Sequence, residues 1–423
     1  MNISIIGCGY VGAVTGACLA DLGSHVIFMD IDKKKLDNIN SGIAPIFEPV
    51  LDDLIRKNNE RISTTIDISN AISESQISFI CVGTPSDEKG NIDLSFIKSA
   101  CSEIGKSLRN RNDDHVVVVK STVVPGTTEG LIKRTIEKES GKRAFHEFGL
   151  VVNPEFLREG SAVMDFFQPD RLVIGSEDNR SRAIMEDLYK TLNCPKILTD
   201  FRTAEMIKYA SNAFLATKIS FANEIGNLCK SLAIDTYKVF EGVGLDCRIN
   251  PSFFRAGIGF GGSCFPKDVR AIAKKMEDQG LSPRILKAVL DVNQDQPFRA
   301  VELLKKHIPD LKGCKIGVLG LAFKPDTDDI RESRAVPIVE RLLSEGAEVL
   351  AYDPLAMERF REIYPQINYA KDAAAVLMNS QAIMILTEWQ DFASLDYSGK
   401  IVIDGRRMES ARKSAKIYEG VCW

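Results

Sequence analysis

Residues 2–12 read Asn2-Ile3-Ser4-Ile5-Ile6-Gly7-Cys8-Gly9-Tyr10-Val11-Gly12. A strand-like run, Asn2–Ile6, feeds directly into G-x-G-x-x-G, and a helical pattern, Val11–Leu22, follows. Each of the three glycines does something different. Gly7 makes the tight turn, Gly9 lets backbone approach a pyrophosphate, and Gly12 lets the helix pack on the strand. The helix start then offers N–H groups to phosphates. A second strand, His25–Asp30, ends on Asp30, eighteen positions after Gly12. A carboxylate there accepts from a ribose 2′-OH and repels a 2′-phosphate, which favours NAD over NADP. A glycine turn that holds no ligand is the plainer alternative.

The same rhythm continues outward. Ile77–Val82 and His115–Lys120 read as strands and Leu51–Lys57 as a helix, the alternation of βαβ units on a parallel sheet. It returns near the C-terminus, with strands at Lys315–Leu319, Glu348–Asp353, Ala382–Leu386 and Lys400–Asp404 and a helix at Ala335–Ser344. "HVIFMDID" (25–32) is answered by "EVLAYDPL" (348–355), and "ISFICVGTP" (77–85) by "AIMILTEW" (382–389). Between the two halves, Thr203–Leu232 has no proline and one glycine, with apolar residues around most of its helical wheel. Such a helix is buried on nearly all sides, in a domain or at a subunit interface. The expected fold is α/β: two Rossmann-like doubly wound domains, 1–200 and 301–423, joined by a helical middle domain, 201–300, with a long buried helix.

Composition narrows the function classes. Lys+Arg is 54 against 58 Asp+Glu, a net charge of −4, so no basic surface for nucleic acid is indicated. No apolar run reaches the roughly 18 residues of a membrane span, and the first residues lack the basic region of a signal peptide. Ten scattered cysteines without a CxxC pair argue against a zinc site or a disulfide framework, and reduced thiols point to the cytoplasm. With four histidines, no metal site is expected.

Four further stretches carry chemistry. Gly259-Phe260-Gly261-Gly262-Ser263-Cys264-Phe265-Pro266-Lys267-Asp268 places a thiol after glycines that admit a ligand. If a helix starts there, Cys264 and Asp268 share a face. A thiol near a cation is a candidate nucleophile, and a buried structural cysteine is the alternative. Lys208 and Asn212 are i, i+4 on the long apolar helix. A lysine there either stabilises an oxyanion, pairs in a salt bridge or snorkels to water. Asn153–Glu159 holds two acids, either a general-base pair or the charged first turn of a helix. Gly317–Phe323, with Lys324, Arg331 and Arg334, resembles a degenerate phosphate-binding turn for a ligand other than NAD, or else a solvated charged loop.

Taken together, "GCGYVG", "CVGTPSDEKGNID", "KSTVVPGTT", "NPEFLREGSAVMDF", "EMIKYASNAFLATKISFANEI", "GIGFGGSCFPKD" and "FKPDTDDIRES" resemble the UDP-glucose/GDP-mannose dehydrogenase family, in the family's order and over essentially the whole chain. The resemblance implies oxidation of a nucleotide-sugar C6 alcohol to a carboxylate with two NAD. UDP-glucose going to UDP-glucuronate is the leading substrate, with GDP-mannose the alternative. It implies Cys264 as the nucleophile that holds the aldehyde, Lys208 and Asn212 at the oxyanion, Asp268 and Glu155 as proton-handling carboxylates, and Thr122 placing water. Implied NAD contacts are Gly7, Gly9, Tyr10, Val11, Gly12, Asp30, Lys35, Thr84, Thr122, Glu159, Lys267 and Arg331. Implied sugar-nucleotide contacts are Phe156, Leu157, Arg158, Lys208, Asn212, Arg248, Phe253, Phe254, Gly259, Phe323, Lys324 and Arg406. Arg248 would reach a neighbouring subunit's substrate, which implies a homodimer or larger assembly. A two-electron hydroxyacid dehydrogenase would not need Cys264 or a second nucleotide fold. A non-catalytic sensor would not need Cys264, Lys208 and Asp268 together.

Overall fold

A computed structural model describes residues 1–87 and 89–423. It divides into two compact units, 1–211 and 212–423, with the division inside one long helix, Phe201–Ser231.

The first unit is built on an eight-stranded sheet. Its strands are β1 (Asn2–Ile6), β2 (His25–Met29), β3 (Ile62–Thr65), β4 (Ile77–Ile80), β5 (Val116–Val119), β6 (Gly149–Val152), β7 (Leu172–Gly175) and β8 (Lys196–Thr199). The spatial order is β3-β2-β1-β4-β5-β6-β7-β8. All pairings are parallel except β6 with β7. The sheet separates two cores. Val116 and Val118 face one, with Ile3 and Ile5, while Val117 and Val119 face the other, with Ile6 and Ile80. A strand of four valines therefore belongs at the centre of a parallel sheet covered on both faces. The expected strands His25–Asp30, Ile77–Val82 and His115–Lys120 end one or two residues earlier. The reason at Asp30 is visible: its carboxylate turns back to accept the N–H groups of Cys8 at 2.6 Å and Asp32 at 2.9 Å.

The second unit begins with helices: the remainder of Phe201–Ser231, then Thr236–Gly244, Phe265–Asp278 and Arg284–His307. Six parallel strands follow, β9 (Lys315–Leu319), β10 (Glu348–Tyr352), β11 (Asn368–Tyr369), β12 (Ala382–Ile385), β13 (Ile401–Asp404) and β14 (Ile417–Gly420). Their order is β11-β10-β9-β12-β13-β14. The strand order reverses beside β1 in the first sheet and beside β9 in the second. In doubly wound folds, ligands bind at that point, off the carboxyl ends of the strands.

The internal parallel seen in the sequence extends to individual bonds. Gly7 N–H donates to Met29 O at 2.8 Å, and Gly320 N–H to Tyr352 O at 2.9 Å. Gly7 and Gly320 both turn at positive φ, 101° and 95°. Asp30 accepts Cys8 N–H, and Asp353 accepts Leu321 N–H at 2.7 Å.

Candidate active site

The glycine turn fits a dinucleotide. A Cβ on Gly12 would lie 1.9 Å from Gly7 O, so helix and turn touch directly there. A Cβ on Gly9 would meet nothing within 4 Å, which leaves open space where a pyrophosphate would approach. The helix Tyr10–Asp21 starts at Gly9 with no side chain capping it, so its first N–H groups point into that space. Asp30 is buried at the end of β2 with Lys35 Nζ 3.4 Å away. It accepts one backbone N–H on each oxygen and keeps lone pairs for a ribose. Thr84 Oγ1 donates to Thr122 O at 3.0 Å, which joins the loops after β4 and β5.

The corresponding acid of the second sheet is committed elsewhere. Asp353 is fully buried and accepts from Leu321, Ala322, Leu355 and Ala356 N–H and from Trp389 Nε1, all within 3.0 Å. No lone-pair direction remains for a ribose. This accords with the missing third glycine and with a ligand other than NAD.

A buried polar cluster lies in the first unit. Lys208 Nζ donates to Glu155 Oε1 at 2.7 Å, and the two side chains are 5% and 6% exposed. Glu155 also accepts Leu157 N–H at 2.6 Å. Burial pushes the Glu155 carboxyl up, but the Lys208 charge, those hydrogen bonds and the Lys120 charge outweigh it, and the net direction is down. The Asn153–Glu159 segment is a loop, and helix begins only at Ala162, which removes the helical first-turn reading. Glu155 is held there by Lys208 and a backbone N–H. Phe156 lies under Arg171, 3.8 Å from ring centre to guanidinium carbon, with Lys208 Nζ at 5.4 Å. Arg158 pairs with Asp165.

The second unit holds the thiol. Cys264 is the N-cap of helix Phe265–Asp278, with Pro266 in its first turn. Asp268 N–H donates to Cys264 O at 2.8 Å, so the expected shared face exists. A helix N-terminus favours negative charge on the sulfur. Asp268 is almost fully buried, with one oxygen accepting from Asn212 Nδ2 and the other from Lys267 Nζ, both at 2.7 Å. The glycines before Cys264 are demanded by packing. A Cβ on Gly261 would lie 2.2 Å from Glu332 O, and Gly262 N–H donates to Arg331 O at 2.9 Å. "GFGGSC" and "FKPDTDDIRES" thus form one surface.

The remaining expected contacts sit in this unit. Phe253 has positive φ of 70° and its ring faces Phe265, while Phe254 stacks on Phe240 under Lys218. Lys324 lies over the ring of Phe323. Arg406 Nε donates to Leu386 O at 2.8 Å beside Glu388. Arg331 forms a bidentate pair with Asp329, and exposed Arg248 pairs with Asp246.

Sequence reasoning missed the residues that hold these loops. Asn293 Oδ1 accepts Phe260 N–H at 2.7 Å, Gln296 Nε2 donates to Gly257 O at 2.7 Å, and Asn223 Oδ1 accepts Gly257 N–H at 2.8 Å. Glu48 accepts from Tyr10 OH and from the N–H groups of Gly160 and Ala162, tying the glycine turn to the Glu155 loop. Asn293 and Gln296, three apart on a helix, were the available signal. Glu48, between Phe47 and Pro49, gave none. Among the described residues, no His, Cys, Asp or Glu cluster could hold a metal ion, and no helix is long and apolar enough to cross a membrane.

Three consecutive stretches match domains of one family: its NAD binding domain over residues 1–193, its central domain over 202–295 and its UDP binding domain over 317–410. The chain belongs to the UDP-glucose/GDP-mannose dehydrogenase family. As a member of this family it is an NAD-dependent oxidoreductase. It is 46% identical to the UDP-glucose 6-dehydrogenase AglM of Haloferax volcanii, with 98% of each chain covered. Identity to a GDP-mannose 6-dehydrogenase of Pseudomonas putida is 39%, with all of both chains covered. Among solved structures, a UDP-glucose dehydrogenase from the archaeon Pyrobaculum islandicum is 46% identical, with a TM-score of 0.96 over 100% of this chain and 98% of that one.

Proposed function

We propose that the chain oxidises UDP-glucose to UDP-glucuronate, a four-electron reaction that consumes two NAD, with the intermediate held covalently on Cys264. Cys264 and Asp268 carry it: the partly buried Cys264 stands at the N-cap of a helix, and a buried carboxylate one turn on is fixed from both sides by Asn212 and Lys267.

NAD, when bound, accepts one hydride in each of the two oxidations; residues Gly7–Gly12, Asp30, Lys35, Thr84, Thr122, Glu159, Lys267 and Arg331 would hold it. In the first, a carboxylate base takes the C6 hydroxyl proton as the aldehyde forms; ionised Glu155 suits this role. The Cys264 thiolate then adds to the aldehyde carbon, and the oxygen takes a proton to give a thiohemiacetal. Loss of a hydride and the hydroxyl proton leaves a thioester. Lys208 and Asn212 stabilise the oxyanion at each tetrahedral stage. Asp268 accepts a proton from the water that cleaves the thioester, Thr122 places that water, and carboxylate and thiol are the products.

Phe156, Leu157, Arg158, Arg248, Phe253, Phe254, Gly259, Phe323, Lys324 and Arg406 would bind the sugar nucleotide. Residues 1–200 would serve NAD, 201–300 assembly and 301–423 the nucleotide. UDP-glucose is preferred because the Haloferax volcanii and Pyrobaculum islandicum UDP-glucose enzymes are each 46% identical over nearly the whole chain, against 39% for the Pseudomonas putida GDP-mannose enzyme. A homodimer is favoured by Phe214, Phe221 and Leu228, exposed at seven-residue spacing on the long helix. The cytoplasm is the compartment that keeps such cysteines as thiols.

The test is NADH formation from UDP-glucose, GDP-mannose and UDP-N-acetylglucosamine in parallel. UDP-glucose should give by far the highest kcat/KM. A preference for GDP-mannose would overturn the substrate, and no NADH from any of the three would overturn the activity.

A further inference from the structure

One buried cation of the first unit has no part in the scheme above. Lys120 follows β5 immediately and is 4% exposed. Its Nζ donates to Asn153 Oδ1 at 2.9 Å, the same oxygen that accepts from Tyr189 OH at 2.8 Å. Asn153 Nδ2 donates to Val173 O at 2.8 Å, so the amide is pinned from three directions. Asn153 begins the loop that carries Glu155 two residues later. Fixing one end of so short a segment fixes where the carboxylate points.

Charge adds to geometry. The ionisable groups acting on Lys120 are Cys81 after β4, Glu155 on its loop and Lys208 on the long helix. Cys81 is a neutral thiol, pushed up to about 12 by burial. Two lysines therefore serve one carboxylate, and with both protonated the cluster carries a net charge of +1. A fold does not bury a second ammonium for packing alone, since a methionine would fill the space without losing hydration. Burial holds Lys120 down at about 8; the Glu155 charge opposes this and the Lys208 charge adds to it.

We infer that Lys120 is a positioning residue for the reaction: through Asn153 and through its own charge, it keeps the Glu155 carboxylate ionised and aimed. The inference rests on the assignment of Glu155 as a base. Lys120 itself touches neither substrate nor cofactor in this scheme.

Two variants test it. K120M removes charge and hydrogen bond, and K120Q keeps a donor for Asn153 without charge; if K120M fails to fold, K120Q still reads the charge. The primary readout needs no substrate. The protonated-carboxyl infrared band of Glu155, assigned by its absence in E155Q, is titrated in the ligand-free protein. In either variant the midpoint should rise by about one unit, as expected when an opposite charge nearby is lost. Tyr189→Phe, which removes the other bond to Asn153 but no charge, should leave it in place. In turnover with whichever sugar nucleotide the wild type oxidises, the acid limb of kcat should rise by the same amount in K120M, with KM for NAD unchanged. A Glu155 midpoint unmoved in K120M and K120Q would overturn the inference, as would an equal shift in Tyr189→Phe. Lack of NADH from UDP-glucose in the wild type would overturn the substrate and leave the infrared result standing.

Discussion

Lys208 and Glu155 form a buried ion pair, 2.7 Å from ammonium to carboxylate, between a long helix and a loop fifty-three residues earlier in the chain. The pair explains how a lysine is accommodated on an apolar helix, and its partner is itself a candidate base. Removing one member takes from the other its nearest opposite charge in a buried site. We expect Lys208→Met to lose about 3–5 kcal/mol of stability, and the double variant with Glu155→Gln to lose less than that single change. Denaturant unfolding of the four proteins checks this; additive losses would mean that the pair is not coupled.

The glycine turn separates folding from binding. Gly12→Ala puts a methyl 1.9 Å from Gly7 O, so the backbone must shift, at a cost of about 1–3 kcal/mol or more. Gly9→Ala meets open space and should melt like the wild type, yet bind NAD at least tenfold more weakly. Calorimetric titration with NAD beside a thermal melt measures both. Unchanged NAD affinity in Gly9→Ala would remove the turn from the cofactor site.

Asp30 is placed to select the cofactor. Asp30→Ala should raise the kcat/KM for NADP relative to NAD by about tenfold or more, since it removes both a ribose acceptor and a charge that repels the 2′-phosphate. An unchanged ratio would remove that role.

Much of this was legible along the chain, for physical reasons. β1, the glycine turn and Asp30 are local in sequence, and the same signature marked β9, Gly320 and Asp353. Apolar strands such as Val116–Val119 and the uninterrupted helix announced themselves by pattern. The edge strands β3, β8, β11 and β14 did not, because half-exposed strands such as Ile62–Thr65 carry a weak apolar signal, and the short interior strands β6 and β7, buried though they are, did not either. The clamps also stayed hidden. Asn153, Asn293 and Gln296 act across dozens of residues, and nothing local marks which backbone group an amide will reach. Lys120, directly after four valines, carried the plainest sign: a cation where a buried strand ends.

His115 makes stability fall in acid. Burial, with a smaller contribution from Arg111, holds its imidazole down at about 3, while Ser78 Oγ and Ser75 O occupy its two nitrogens. The folded pKa lies below the unfolded one, so the stabilisation is full above about pH 6.5 and is lost as pH falls toward 3. His115→Gln should flatten the decline of unfolding free energy between pH 6.5 and 4, by as much as about 3 kcal/mol at the acid end. Parallel pH dependence in variant and wild type would refute the assignment.

The covalent four-electron scheme is tested most directly by counting NADH formed per UDP-glucose consumed, in the wild type and in Cys264→Ser. The account predicts two NADH and UDP-glucuronate from the wild type. The serine variant should bind both ligands but yield no more than trace acid. One NADH with free aldehyde from the wild type, or two NADH with full acid formation from Cys264→Ser, would contradict it.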